Sequence, residues 1–330
     1  MTTTALDVEL DRAAAVLSAA SEVALACHVN PDPDALGSSL GLAGFLAAQG
    51  KGVVVSWGNE PFEPPTWMAA LDGGVPVVPP ADFPSAPPVM VALDTASADR
   101  LGSLGFAAEA ATEVIVLDHH RTNPGFGTIA VIDPEASSTA ELVYRLIERM
   151  GGDLPDRAAA ALYAGIVTDT GRFQYEATTP ETLRVAAELR RYSFDHTKLA
   201  RTLFEDAPLA YLRVAALALE RIELVPEASL VWTYVTQSDL ARVGATLADT
   251  DDLIDLVRVV READVACVIK QQADGQFKVS LRSKEATDVA AVAQRFGGGG
   301  HRLAAGYTAT GGLEESVREL IAALPSKADG

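Results

Sequence analysis

Four short apolar runs, VALACHV (23–29), KGVVVSW (51–57), PVMVALD (88–94) and EVIVLD (113–118), lie too far apart to be joined as hairpins. They are rich in valine and show almost no polar–apolar alternation, so strands built from them need both faces covered. Between the first two lies ALGSSLGLAGFLAAQG, of helical composition. A further candidate helix, rich in alanine and leucine, separates the third and fourth. Strands alternating with helices of this length predict βαβ units, hence an α/β fold with a mainly parallel sheet flanked by helices. GTIAVID (127–133) reads as one more strand. SSTAELVYRLIERMGG reads as a helix opened by a capping box from Ser138 to Glu141 and closed on glycines.

At 330 residues the chain suits two domains. Residues 1–190 form the first, and a helical stretch from about 180 to 222 supplies its last helices and a connector, 191–224. The second domain, 225–330, is smaller and α+β. It carries SLVWTYVT, a helical stretch around 251–262, and ADVACVIKQQADGQFKVSLRS, a hairpin pattern with Asp274-Gly275 at its turn. A helix (288–296), a glycine run, the strand AAGYTAT and a terminal helix (313–324) follow.

The apolar runs end in chemistry. His28, Asp32 and Asp34 follow the first, Asp94 ends the third, Asp118, His119 and His120 end the fourth, and Asp169 stands in GIVTDTGRF. The chain has five histidines, and three of them fall in these clusters. Singly, an aspartate at a strand end is a helix cap or a turn residue. Jointly that account fails, because caps do not bring histidine beside carboxylates twice. Uncompensated, such a cluster would repel itself. In open α/β sheets the carboxyl ends of the strands form one rim where ligands bind. The prolines at 31 and 33 are expected to hold their loop extended, with alternate residues on one side. Hard carboxylate oxygens mixed with imidazole point to two divalent ions, Mn²⁺ first, with Mg²⁺, Co²⁺ or Fe²⁺ as alternatives. No cysteine stands among the donors, which argues against structural zinc.

Charge and composition limit the partners. A net charge of −19 and the lack of a basic stripe exclude a protein that tracks long duplex nucleic acid. Two divalent ions would still leave the chain strongly acidic, so a phosphate substrate must be held by local groups. No apolar run reaches the roughly 18–20 residues of a membrane span, and MTTTALDVELDRAAA lacks the features of a signal peptide. Cys27 and Cys267 read as reduced core residues. A cytoplasmic protein with no membrane partner is expected.

HVNPDPDA, an isolated Asp after a strand, DHH, and TDTGRF occur in the order of the four motifs of the DHH phosphoesterase superfamily, which this chain resembles. KVSLRS followed by FGGGGHRLAAG resembles the DHH-associated C-terminal domain of its first subfamily, so the likeness covers nearly the whole chain. Within it, the pattern is most similar to stand-alone nano-RNase/pAp phosphatases and relatives that degrade cyclic di-AMP or its linear product pApA. The resemblance implies that His28 and Asp32 hold one ion, that Asp34, His119 and Asp169 hold the other, and that Asp94 bridges. It makes Asp118 and His120 the catalytic pair, His120 facing substrate and Asp118 orienting it. Two ions in such a clamp share a water that attacks phosphorus.

The four glycines before His301 can expose backbone N–H groups to a phosphate, and Arg282 offers a planar fork for one. By resemblance, Arg282, Gly299, Gly300 and His301 bind substrate across an interdomain cleft that holds the active site, and Arg121, beside DHH, is added to them. Metals on the scissile phosphate and a second grip on its neighbour make a ruler. The expected substrates are short single-stranded RNA of two to four nucleotides, pApA, cyclic di-AMP and 3′-phosphoadenosine 5′-phosphate (pAp). Relatives suggest a homodimer. Rival readings are a pyrophosphatase, whose second domain lacks the GGGH element, a longer single-strand exonuclease, and a non-catalytic nucleotide-binding regulator.

Overall fold

The computed structural model describes residues 4–71 and 73–325. The chain divides into two compact units, Met1–Asp206 and Ala207–Gly330. The first runs α1 (Ala5–Ala19), β1 (Glu22–Cys27), α2 (Pro33–Ala48), β2 (Gly52–Trp57), β3 (Val89–Leu93), α3 (Gly105–Ala110), β4 (Glu113–Asp118), β5 (Ile129–Ile132), α4 (Thr139–Met150), α5 (Asp156–Asp169), α6 (Pro180–Leu189) and α7 (His196–Phe204). Its five strands are all parallel, in the order β2-β1-β3-β4-β5. The order reverses between β1 and β3, so the carboxyl ends of these two strands flank the switch point where α/β sheets bind ligands.

The strands are apolar throughout because each is covered twice. Leu25, Val91, Leu93, Ile115 and Leu117 face a core shared with α1, α2, α4 and α5. Ala24, Ala26, Met90, Ala92, Val114 and Val116 face Leu101, Leu104 and Ala107. Both layers bury side chains worth about 1.5–3 kcal/mol each for a full Leu, Val or Ile. The Ala- and Leu-rich stretch after β3 is helical as expected but broken. Residues Ala98–Leu104 form 3-10 turns kinked at Gly102, φ 57°, and the six-residue α3 follows.

Helices α2 and α5 meet almost backbone to backbone. A Cβ at Gly37 would stand 2.4 Å from the Ala161 carbonyl oxygen, and one at Gly165 would stand 2.6 Å from Asp34 Oδ1. No other residue fits at 165. This contact carries the C-terminal end of α5, where Asp169 sits, up to Asp34.

The second unit runs α8 (Leu209–Glu220), β6 (Glu223–Val225), β7 (Leu230–Val235), α9 (Gln237–Val243), α10 (Leu253–Val257), β8 (Val265–Gln271), β9 (Phe277–Ser283), α11 (Val289–Gln294), β10 (Gly299–His301), β11 (Ala304–Ala309) and α12 (Leu313–Ala323). The strands form one mixed sheet, β10-β11-β9-β8-β7-β6, in which β7 and β8 alone are parallel. One face packs on α8 and α10, the other on α11 and α12. The last two residues of the glycine run, Gly299 and Gly300, lie in the edge strand β10. Gly298 lies so close to β11 that an added Cβ would stand 2.2 Å from the Gly306 carbonyl oxygen. Among the described residues no helix is long and apolar enough to cross a membrane.

Asp264 pins the start of β8 to the turn after β9. Its carboxylate accepts the N–H groups of Glu285, Ala286 and Thr287 and the Ser283 hydroxyl, at 2.9–3.2 Å. Burial alone would raise its pKa, but these hydrogen bonds outweigh burial and hold it at about 2, against an ordinary 3.8. A depressed carboxylate stabilises the fold above the unfolded value and stops doing so as pH falls through the folded one. Asp264→Ala is therefore expected to cost about 1–3 kcal/mol at pH 7. Urea unfolding at pH 7 and pH 3 should show that cost shrinking as the pH drops from about 4 towards 2.

Candidate active site

The chain leaves β1 through His28, whose Nδ1 lies 2.8 Å from the Val29 carbonyl oxygen. That fixes a proton on Nδ1 and turns Nε2 toward the rim, where it becomes a lone-pair donor once a cation displaces its own proton. Asn30 takes a left-handed backbone, φ 53°, and is held by Asn59, which accepts its N–H at 2.6 Å and donates back to its side chain at 2.8 Å. The expected extended loop at 31–34 is corrected here. Pro33 is the first residue of α2, where its fixed φ suits a helix start, and Asp32 is the cap, accepting the N–H groups of Asp34 and Ala35. Asp34 is already helical and fully buried.

Asp94 follows β3 with φ 52°. One of its oxygens, Oδ2, lies 3.4 Å from His28 Nε2, and the other, Oδ1, lies 3.6 Å from His119 Nε2. His28 Nε2 is also 3.7 Å from Asp32, and His119 Nε2 is 3.4 Å from Asp169. Three donor sets result, His28–Asp32–Asp94, Asp34–His119–Asp169 and Asp94–His119–His120, each with its ligand atoms within 4.8 Å of one another. Asp118, ending β4, accepts from His120 Nδ1 at 2.7 Å, and its other oxygen accepts from Asn123 at 2.6 Å. Asn123 also donates to the Thr95 carbonyl, so it joins the β3 and β4 ends.

The helix α4 delivers a further set of contacts. Thr139 and Ala140 donate their backbone N–H groups to the two oxygens of Asp34 at 2.8 and 3.0 Å, and the Thr139 hydroxyl donates to Asp94 Oδ1 at 2.9 Å. The capping box expected from Ser138 to Glu141 is half formed. Ser138 accepts the Glu141 N–H, but the Glu141 carboxylate turns away to Ser137 and to Thr182 of α6. Neither Thr139 nor Asn59 nor Asn123 is picked out by motif or periodicity. Their partners Asn30, Thr95, Asp94 and Asp34 lie 28 to 105 residues away, and only the fold brings them together.

The electrostatics show why this cluster needs cations. Burial, and then the charge of Asp94, push the carboxyls of Asp34 and Asp169 well above the usual range. Burial opposes a charge on Asp94 too, but the hydrogen bond from His28 and the neighbouring imidazoles pull it well below that range. His28 loses by burial and gains more from Asp32 and Asp94, reaching about 10. His119 and His120 are raised against burial in the same way, His120 chiefly by its Asp118 hydrogen bond. Protons are thus crowded onto imidazoles and carboxyls that metal binding would strip. The donor set, hard oxygens with imidazole nitrogen, fits divalent cations.

Of the remaining expected residues, Arg121 lies in the first unit and Arg282, Gly299, Gly300 and His301 in the second. Arg121 makes an ion pair with Glu135 at 3.0 Å with both side chains largely exposed, a contact worth at most about 1 kcal/mol. In the second unit, Arg282 pairs in register with Ala304, and Ala304 with His301, so the three form one cross-strand row with Gly299 two residues along β10. The His301 side chain lies outside the described residues. Phe173, in the TDTGRF segment, packs on the first core.

Residues 22–166 match the model of the DHH family, N-terminal domain, and residues 232–328 match that of the DHHA1 domain. The bifunctional oligoribonuclease and PAP phosphatase NrnA of Thermus thermophilus is 35% identical over 301 residues, covering 91% of this chain and 88% of that protein. The protein of that name from Bacillus subtilis is 29% identical over 282 residues, covering 84% and 86%. The crystal structure of an exopolyphosphatase-related protein from Bacteroides fragilis superposes with a TM-score of 0.89 at 26% identity, over 98% of this chain and 97% of that one. Two domain matches in the expected order and a relative above 30% identity along most of its length agree with the parallel sheet and its acidic rim, and the chain belongs to the DHH family.

Proposed function

We propose that this chain is a two-metal phosphoesterase that hydrolyses short oligoribonucleotides, pApA and pAp to mononucleotides, with cyclic di-AMP as a further candidate substrate. His28 and Asp32 would hold one cation, Asp34, His119 and Asp169 the other, and Asp94 would serve both. The observation that carries this reading is the position of Asp94, whose two oxygens face two different donor sets. Mn²⁺ suits the mixture of oxygen and imidazole best. When bound, the pair supplies positive charge to the phosphoryl oxygens and lowers the pKa of water.

The chain's own residues do the rest. Asp118 holds His120 through Nδ1, which sets the ring's orientation and supports an imidazolium able to give a proton to the leaving oxygen. Arg282 and the β10 glycines are the phosphate-binding group of the second unit. The names of the relatives support the substrate class, and the net charge of −19 speaks against long duplexes. Two buried free thiols suit a cytoplasmic protein.

The test is Mn²⁺-dependent release of product from pApA, pAp, a pentanucleotide, a 24-mer, cyclic di-AMP and pyrophosphate. Rapid turnover of the dimer, pAp and pentamer, with slow trimming of the 24-mer, is expected. Equal rates on the 24-mer and the dimer would defeat the short-substrate reading. Tight binding of these nucleotides without turnover would favour a nucleotide-binding regulator instead.

A further inference from the structure

We infer that Thr139 is a positioning residue that sets the affinity of the metal centre, by fixing two carboxylates at once from the first residue of α4. The inference rests on Asp34 and Asp94 being metal ligands, as proposed above. The backbone N–H groups of Thr139 and Ala140 take one oxygen each of Asp34. That bidentate hold fixes the plane of the carboxylate, and the helix N-terminus favours its negative charge. From the same residue the side-chain hydroxyl reaches Asp94 Oδ1, the oxygen that faces His119. Asp94 Oδ2, facing His28, is not the one it touches.

A plainer account of Thr139 is that it is a buried helix-start residue. It does not explain the hydroxyl. Ser138 already caps α4 by accepting the Glu141 N–H, so the helix has no need of Thr139 Oγ1. A hydroxyl has a single proton, and here it is given to a carboxylate 45 residues away rather than to the helix. The segment is also braced from behind. Glu141 accepts from Ser137 at 2.7 Å and from Thr182 at 2.8 Å, and the Ala136 carbonyl lies 3.4 Å from His119 Nδ1. One short stretch, 136–141, therefore touches Asp34, Asp94 and His119. Groups that orient metal ligands in this way typically change affinity or activity by about 10–100-fold when lost.

The decisive comparison is calorimetric Mn²⁺ titration of chelator-stripped wild type, Thr139→Val and Thr139→Ser. Valine keeps the shape and removes the hydroxyl, while serine keeps the hydroxyl. Wild type should bind two ions per chain. Thr139→Val should bind one of them about 10–100-fold more weakly, with a matching rise in the Mn²⁺ needed for half-maximal turnover and most of kcat recovered at saturation. Thr139→Ser should stay within about threefold of wild type in both. Urea midpoints of the stripped proteins separate a metal effect from a folding defect, and Thr139→Ala carries the same test if the valine variant does not fold. Thr139→Val binding both ions as wild type does, or Thr139→Ser failing alongside it, would overturn the inference. Wild type that binds fewer than two ions would instead remove the two-metal reading on which it stands.

Discussion

Asp94→Ala is expected to lose at least about 10³-fold of the metal-dependent turnover, equivalent to about 4 kcal/mol of transition-state stabilisation. The size follows from its place. Among the proposed ligands Asp94 is the one placed to serve both cations, since its Oδ2 faces His28 and its Oδ1 faces His119. Removing His28 or Asp169 leaves one set whole; removing Asp94 breaks both together. The fold should survive, because β3 is held by β4 along its whole length and by β1 over Met90–Leu93. Circular dichroism and a product-release assay on pApA measure the two sides. Activity within about tenfold of wild type would mean that the two sets do not depend on a shared carboxylate, and that the proposed geometry is wrong.

Metal removal should be nearly as visible in stability. A ligand present at about 100 times its dissociation constant stabilises the folded state by about 2.7 kcal/mol, so two ions give about 5 kcal/mol. For a unit of this size each kcal/mol moves the midpoint by about 2–4 °C, which predicts a rise of about 10–20 °C on loading with Mn²⁺. The physical source is local. Asp34, Asp94 and Asp169 crowd one another at the rim, and cations replace mutual repulsion with attraction. Scanning calorimetry with and without chelator reads the effect directly. The shift should grow with the logarithm of the Mn²⁺ concentration and collapse in Asp94→Ala. A midpoint that ignores Mn²⁺ altogether would remove the metal centre.

What the chain's linear order discloses is uneven, for identifiable reasons. β1, β3 and β4 are legible because burial on both faces demands unbroken apolar runs, and the polar residue that ends each run must lie at the rim. His28, Asp94 and Asp118–His120 follow from that alone. Asp169 ends a helix, and nothing in its own surroundings shows where it points. It reaches the rim because Gly37 and Gly165 let two helices touch, a fact about two distant segments at once. Thr139, Asn59 and Asn123 are hidden for the same reason, since each is an ordinary helix or turn residue until its partner is known. Composition does not show that Gly298 and Gly300 stand hard against β11, where an added Cβ would meet the carbonyl oxygens of Gly306 and Ala304.

The backbone of Asp94 has a consequence for descent. An L-residue held at φ 52° costs about 1–2 kcal/mol that glycine would not incur, although aspartate bears it better than most. The same residue is buried, and its charge is borne only with the imidazoles of His28, His119 and His120 beside it. A descendant chain released from catalysis and kept only for its ability to fold would therefore drift here first, towards glycine or asparagine, while Leu25, Val91 and Leu117 stayed apolar. Loss of Asp94 in an otherwise intact relative would be an early mark of lost turnover.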